Sequence, residues 1–201
     1  SRAVLDRRHY TRHHVSGKGA SMISVVVPFY DNGPYKKGVL RRTVESFKDY
    51  DELIIVWNDG IGMSKAVNKG FELARGDYIV VASDDAYFTE GSFKDLAIPG
   101  VVTSPKVNDV VQVFSGVLFC VPRDIYKKYG MWDEEYAKGI YFEDEDYWNM
   151  LKVNNIPHRC IESVCMTHSH GGLTLKKDPD FELKRTINRR YFNNKWGEHR
   201  L

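Results

Sequence analysis

The sequence predicts an α/β domain of Rossmann-like layout: a central, mostly parallel sheet flanked by helices, followed by a smaller mixed region. Three observations carry that expectation. Met22–Phe29 (MISVVVPF) is apolar and β-branched along its length, as expected of a strand buried on both faces. Two further apolar runs follow, Leu53–Trp57 and Tyr78–Ala82, and segments of helical periodicity separate all three. A β-α-β-α-β order calls for parallel strands joined by right-handed crossovers.

Taken in order, Pro28 ends the first strand and Tyr30-Asp31-Asn32-Gly33-Pro34 has the chemistry of a loop. Leu40, Val44 and Phe47 recur at helical spacing, so a helix follows. The second strand closes on Asn58-Asp59-Gly60. A helix from about Ser64 to Arg75 then carries Val67, Phe71 and Ala74 on one face, with Gly76 at its C-terminal cap. The third strand breaks at Ser83-Asp84-Asp85. Val110–Val121 reads as strand material around Gly116, and Pro122 as the first residue of a short helix that Gly130 stops. Glu143-Asp144-Glu145-Asp146 leads into a helix through Val153. A short strand ends at His168-Ser169-His170-Gly171-Gly172, and Asp178–Trp196 is an amphipathic helix with Leu183, Ile187 and Tyr191 along one face.

A chain of 201 residues, 42% apolar and 28% charged, suffices for one well-packed domain. A formal net charge of +2 gives no global case for nucleic acid or an anionic membrane as partner. The charge is uneven: residues 1–21 hold five Lys/Arg against one Asp, which leaves −2 for everything after them. That run lacks apolar periodicity and reads as an appended leader or disordered arm outside the fold, so the domain is 22–201. Cys120, Cys160 and Cys165 show no disulfide-framework spacing, so a reducing, cytoplasmic setting is expected. No apolar run approaches the roughly 20 residues that span a bilayer. The compact length leaves room for further domains beyond Leu201.

Three successive strands end in Asp31, Asn58-Asp59 and Asp84-Asp85. Parallel strands gather such ends along one sheet edge, where open α/β sheets bind ligands, so the pattern points to a nucleotide pocket. Neither GxGxxG nor GxxxxGK[ST] is present, so a diphosphate needs another counter-charge. A Mg²⁺ or Mn²⁺ held at Asp84/Asp85 would supply it. The same pair also suits an Asx-type turn. The acidic run 143–146 suits a helix macrodipole as well as a function, and His168 and His170 suit structural as well as metal-binding roles.

The order of these motifs resembles the family 2 glycosyltransferases, inverting enzymes of the GT-A fold. The matching pieces are SVVVPFYDN, VWNDG, KAVNKGFELARGDYIVVASDD, SGVLFCVPRDIYKKYGMWDEEY, YFEDEDYW, THSHGG and NRRYFNNKWG, covering Met22 to Trp196. The first strand and its loop are also similar to those of capsid-decorating glycosyltransferases of large algal DNA viruses, which would place the chain in a host cytoplasm. The resemblance implies a nucleotide-binding half (22–109) and an acceptor and catalytic half (110–201). It implies a nucleotide-sugar donor, a UDP-sugar first among candidates, a Mn²⁺ or Mg²⁺ cofactor, and a glycan or glycoprotein acceptor.

Residue by residue, it puts Pro28, Tyr30 and Asp31 at the nucleoside, Asn58 and Asp59 at the base, and Lys65 and Asn68 along the nucleotide. Ser83 and Asp84 would meet the donor, with Asp84, Asp85 and His168 as metal ligands and His170 as the fallback. The family's first DxD acid is replaced here (Ala82-Ser83-Asp84), so which aspartate meets the metal stays open. Asp144 matches the general base, and crowding by Glu143, Glu145 and Asp146 is expected to disfavour its charged form. Trp132, Asp133, Glu134 and Glu143 would border the acceptor, within loops expected at 100–109 and 132–142. Two rivals share the layout: a sugar-1-phosphate nucleotidyltransferase, whose glycine- and arginine-rich first loop is missing here, and a non-catalytic nucleotide- or glycan-binding module of the same fold.

Overall fold

The architecture is that of a computed structural model describing residues 4–6, 10–14, 21–30, 34–58, 60–112, 114–138, 141–169 and 179–197. Its strands are β1 (Val4–Asp6), β2 (Tyr10–His14), β3 (Ile23–Phe29), β4 (Glu52–Trp57), β5 (Tyr78–Ala82), β6 (Ala86–Glu90), β7 (Val102–Val107), β8 (Leu118–Pro122) and β9 (His158–His168). Its helices are α1 (Pro34–Glu45), α2 (Met63–Leu73), α3 (Phe93–Leu96), α4 (Arg123–Tyr129), α5 (Glu143–Val153) and α6 (Phe181–Trp196), with a 3₁₀ turn at Glu134–Lys138.

The strands form one sheet in the order β1-β2-β4-β3-β5-β8-β7-β9-β6. The parallel order expected for the first half holds: β3 lies between β4 and β5 and runs parallel to both. Beyond it the sheet is mixed. β8 is antiparallel to β5 and to β7, while β7 and β9 are parallel. It follows that β9 runs in the same direction as β5, and its carboxyl end reaches the same edge. That topology positions the site.

The period-2 alternation of buried strands splits the core into two layers. Val26, Ile79, Val81, Phe119 and Val121 pack with Val67 and Phe71 of α2 and with Tyr147 and Leu151 of α5. Val25, Val27, Val80, Leu118 and Cys120 face the other way, against Phe47, Phe93 and Leu96. β3 and β5 are buried at every position, as the unbroken apolar runs predict. Burial pushes the Cys120 thiol up to about 12, so it packs as a small hydrophobe. All three cysteines are free. No helix among the described residues is long and apolar enough to cross a membrane.

Several expectations are corrected. The N-terminal run is not outside the fold, because β2 pairs antiparallel with β4 across Tyr10–His14 and β1 pairs with β2. The edge of β4 offers unpaired backbone groups, and a polar segment can satisfy them without apolar periodicity. Pro28 lies within β3 rather than after it. Gly76 is not a left-handed cap: α2 ends at Ala74 with extended backbone. Gly76 instead passes so close to Ser24 and Tyr78 that a Cβ would lie 2.5 Å from the Ser24 nitrogen, and its N–H donates to Ser24 Oγ at 2.7 Å. The expected acceptor loop 100–109 is mostly strand β7, and of the expected strand 110–121 only Leu118 onward is strand, with Val110 and Val111 exposed. The face of α6 is turned. Leu183 and Ile187 are 62% and 42% exposed, while Asn188 and Phe192 are buried. The Asn188 amide decides this by donating to the carbonyls of Tyr136 and Tyr141 at 3.0 and 2.9 Å.

Candidate active site

The carboxyl ends of β3, β4, β5 and β9 meet at one edge, and each delivers a side chain or backbone group to it. β5 stops where Ser83 turns away, its N–H donating to the Val117 carbonyl at 2.8 Å. Asp84 and Asp85 then point to different partners. Asp84 is buried and accepts from Lys36 Nζ at 3.1 and 3.3 Å on its two oxygens. The Tyr30 backbone N–H also donates to it. Burial, with neighbouring Asp85 adding, raises its pKa against the opposing pull of Lys36 and Tyr30. Asp85 Oδ1 lies 3.0 Å from His168 Nε2 and accepts from Ser83 Oγ at 2.6 Å. Burial works against its charge, yet the His168 and Ser83 hydrogen bonds and the nearby positive groups outweigh it and hold Asp85 below the usual carboxylate range.

His168 reaches Asp85 because Ala86 and His168 are paired across β6 and β9. Its backbone is clamped: Asn108 Oδ1 accepts the His168 N–H at 2.9 Å, and Asn108 Nδ2 donates to the His168 carbonyl at 3.3 Å. Asn108 and Asp109 adopt left-handed backbone, φ 49 and 61, which short polar residues tolerate best. An imidazole nitrogen and a carboxylate oxygen converging in this way suit Mn²⁺ or Mg²⁺ with phosphate oxygens completing the shell. Asp84 is engaged on both oxygens by Lys36. Among the described residues no three His, Cys, Asp or Glu side chains form a metal-holding group by themselves.

Asp144, in the first turn of α5, meets the Ser115–Val117 segment at Gly116. Gly116 is packed on its carboxylate so closely that a Cβ there would collide with Asp144 Oδ2. The crowding of this helix start is expressed at its two glutamates. Burial first, then the charge of Asp144, pushes Glu143 up to about 8, and its buried Oε2 has no hydrogen-bond partner among the described residues. Burial, then a hydrogen bond with Asp144, pushes Glu145 up to about 8. Asp146 serves the fold, accepting from Tyr136 Oη at 3.0 Å, Lys195 Nζ at 3.0 Å and Trp196 Nε1 at 2.7 Å.

The remaining expected residues divide sharply. Pro28 is buried, Tyr30 is 46% exposed at the edge, and Lys65 is exposed on α2. Asn58 Oδ1 caps the start of α2 by accepting the Gly62 N–H at 2.9 Å. Asn68 is buried, its amide spent on the Trp132 carbonyl, the Trp132 N–H and Glu134 Oε1, at 2.8, 2.9 and 3.0 Å. Trp132 is a buried ring stacked on Phe119. Asp133 is held by Lys195 Nζ at 2.7 Å and Tyr191 Oη at 2.9 Å. Asp31, Asp59 and His170 lie outside the described residues. Lys36, Asn108 and Gly116 were not anticipated. Their partners lie 48, 60 and 28 positions away, and no local pattern marks such pairings.

Solved structures share this fold. A mannosyltransferase, PcManGT from Pyrobaculum calidifontis, in complex with GDP-Man and Mn²⁺, matches with a TM-score of 0.61 at 14% identity, over 87% of this chain and 64% of its own. The chain folds as a GT-A domain. GalNAc-T7 with UDP, GalNAc and Mn²⁺ matches with a TM-score of 0.60 at 13% identity, over 76% of this chain and 44% of its own. TarS of S. aureus matches with a TM-score of 0.53 at 13% identity, over 88% of this chain and 44% of its own. The GT-A domain described here therefore spans between 44% and 64% of the length of these structures. No family model and no curated protein sequence matches the chain.

Proposed function

We propose that this GT-A domain is a metal-dependent inverting glycosyltransferase. It moves a hexose or deoxyhexose from a nucleoside-diphosphate sugar, a UDP-sugar first among candidates, to a hydroxyl of a glycan or glycoprotein. The observation that carries this reading is that one segment, residues 115–117, meets both acidic sites. Val117 receives the backbone of Ser83, whose hydroxyl holds Asp85 beside His168, while Gly116 packs on Asp144. The nucleotide-sugar and Mn²⁺ complexes of two structural neighbours favour the same chemistry.

Asp85 and His168 would hold the cation, and a cation bound there supplies charge compensation for the departing diphosphate. Asp144 takes the proton of the acceptor hydroxyl as that oxygen bonds to the anomeric carbon. The bond from that carbon to the diphosphate oxygen breaks on the opposite face, which inverts the centre. Asp144 does this with Gly116 holding its carboxylate in place and with Glu143 and Glu145 carrying protons beside it near neutral pH. A base so placed contributes about 10²–10⁴-fold.

Calorimetric titration of UDP, with Mn²⁺ and then with EDTA, on wild type and Asp144→Asn tests the reading. UDP should bind both proteins only with Mn²⁺, while donor turnover falls by about 10²–10⁴-fold in the variant. Metal-independent binding would remove the Asp85–His168 assignment, and undiminished turnover would remove Asp144. GDP is the second nucleotide to titrate. Nucleotide binding without turnover on any acceptor would leave a binding module, and pyrophosphate release would indicate nucleotidyl transfer.

A further inference from the structure

The glycosyltransferase reading leaves one group at this edge without a task. Lys36 stands in the first turn of α1 with its ammonium on both oxygens of Asp84. The two side chains are only 14% and 10% exposed. The contact is braced at several points: Thr43, two turns further along α1, donates its hydroxyl to the Asp84 carbonyl at 3.0 Å, and Tyr30 adds its N–H to the carboxylate. An enclosed ion pair of this sort gains little net stability, because desolvation offsets most of the attraction. Its place in the fold is more informative. Asp85, the adjacent residue, is paired instead with His168, so consecutive carboxylates are served by a permanent cation and by an imidazole.

We propose that Lys36 is a donor-binding residue that exchanges its bonds to Asp84 for bonds to the incoming diphosphate; this rests on the glycosyltransferase reading above. The diphosphate of a nucleotide sugar gains a further negative charge as the sugar departs, beyond what one divalent cation cancels, and the chain has no glycine-rich cradle to supply the difference. Lys36 can supply it, and its position on the first turn of α1 places the positive end of that helix beside it. The exchange has a second consequence. An ammonium next to Asp84 repels a divalent cation at Asp85 and His168, and a diphosphate that engages the ammonium relieves that repulsion. Metal and nucleotide therefore favour one another reciprocally.

The test measures Mn²⁺ affinity alone, from the electron paramagnetic resonance of the free ion, and UDP affinity at saturating Mn²⁺. The proteins are wild type, Lys36→Met, and the double variant Lys36→Met/Asp84→Asn, which leaves no unpaired buried charge. Lys36→Met should tighten Mn²⁺ about tenfold in the absence of nucleotide, and should weaken UDP by about tenfold or more, the weight of a charge-assisted hydrogen bond. The double variant should bind UDP as weakly as the single one, since the phosphate contact is still missing. Recovery of wild-type UDP affinity in the double variant would make Lys36 only the structural partner of Asp84 and overturn the proposal. So would wild-type values for both ligands in Lys36→Met. Wild-type protein that binds neither Mn²⁺ nor UDP would instead remove the glycosyltransferase reading, and this proposal with it.

Discussion

Two acidic runs, Ser83-Asp84-Asp85 at the end of β5 and Glu143–Asp146 at the start of α5, look alike in sequence and behave differently in the fold. At the strand end each carboxylate has its own partner, the Lys36 ammonium for Asp84 and the His168 ring for Asp85. At the helix start the positive partner, Lys195, is given to Asp146, and Glu143 and Glu145 are pushed up to about 8 by burial and by Asp144. One site is built to hold negative charge against a cation, and the other stores protons around a carboxylate. Acidic residues acquire opposite roles from their partners rather than from their spacing.

The largest effect that would break this contrast is expected at Gly116. Gly116→Ala puts a methyl group into the Asp144 carboxylate, so turnover should fall by about 100-fold or more, the scale on which a displaced catalytic group matters. Nucleotide binding should change little, and unchanged kcat would dissociate Asp144 from the reaction. The next effect is on stability. Asp146→Ala removes the acceptor shared by Tyr136, Lys195 and Trp196 and should cost about 2 kcal/mol, less than a fully enclosed pair because Lys195 is partly exposed. Urea unfolding measures it, and a loss within experimental error would demote the cluster from its role in fixing α6.

The smallest effect sharpens the comparison through pH. Glu143 and Glu145 have folded values of about 8 against an unfolded value of 4.5. The folded state therefore binds more protons than the unfolded state between those values. Their contribution favours folding most below about pH 4.5 and is lost as pH rises through about 8. Thermal unfolding should show Tm falling across that window, and Glu143→Gln should flatten the slope. An unaltered slope in the variant would assign the proton storage to other groups.

The periodic parts of the chain were legible in advance. Unbroken β-branched runs at β3 and β5 announce strands buried on both faces, and the strand-end acids announce a ligand edge, because each follows from local pattern and from the direction of parallel strands. Asp85 is among the expected site residues on that basis, and Asp144 on the family resemblance. α6 shows where such reasoning stops. Its apolar spacing favours Leu183 and Ile187 as the buried face, but the amide of Asn188 needs two carbonyls from another element, and satisfying it turns the helix. Trp132 and Asn68 turn inward for the same reason, since the two occupy each other.

Sequence by itself thus determined the strands and helices of the parallel half, the α/β class and the sheet edge at which acidic side chains would collect, since hydrophobic periodicity and turn chemistry are local quantities. Tertiary structure decided which acid meets which partner: Lys36 on Asp84, His168 on Asp85, Gly116 against Asp144, and residues 10–14 on the edge of β4. Those pairings join residues tens of positions apart. Their charges and hydrogen bonds acquire meaning only when the sheet brings them together and water is excluded from between them.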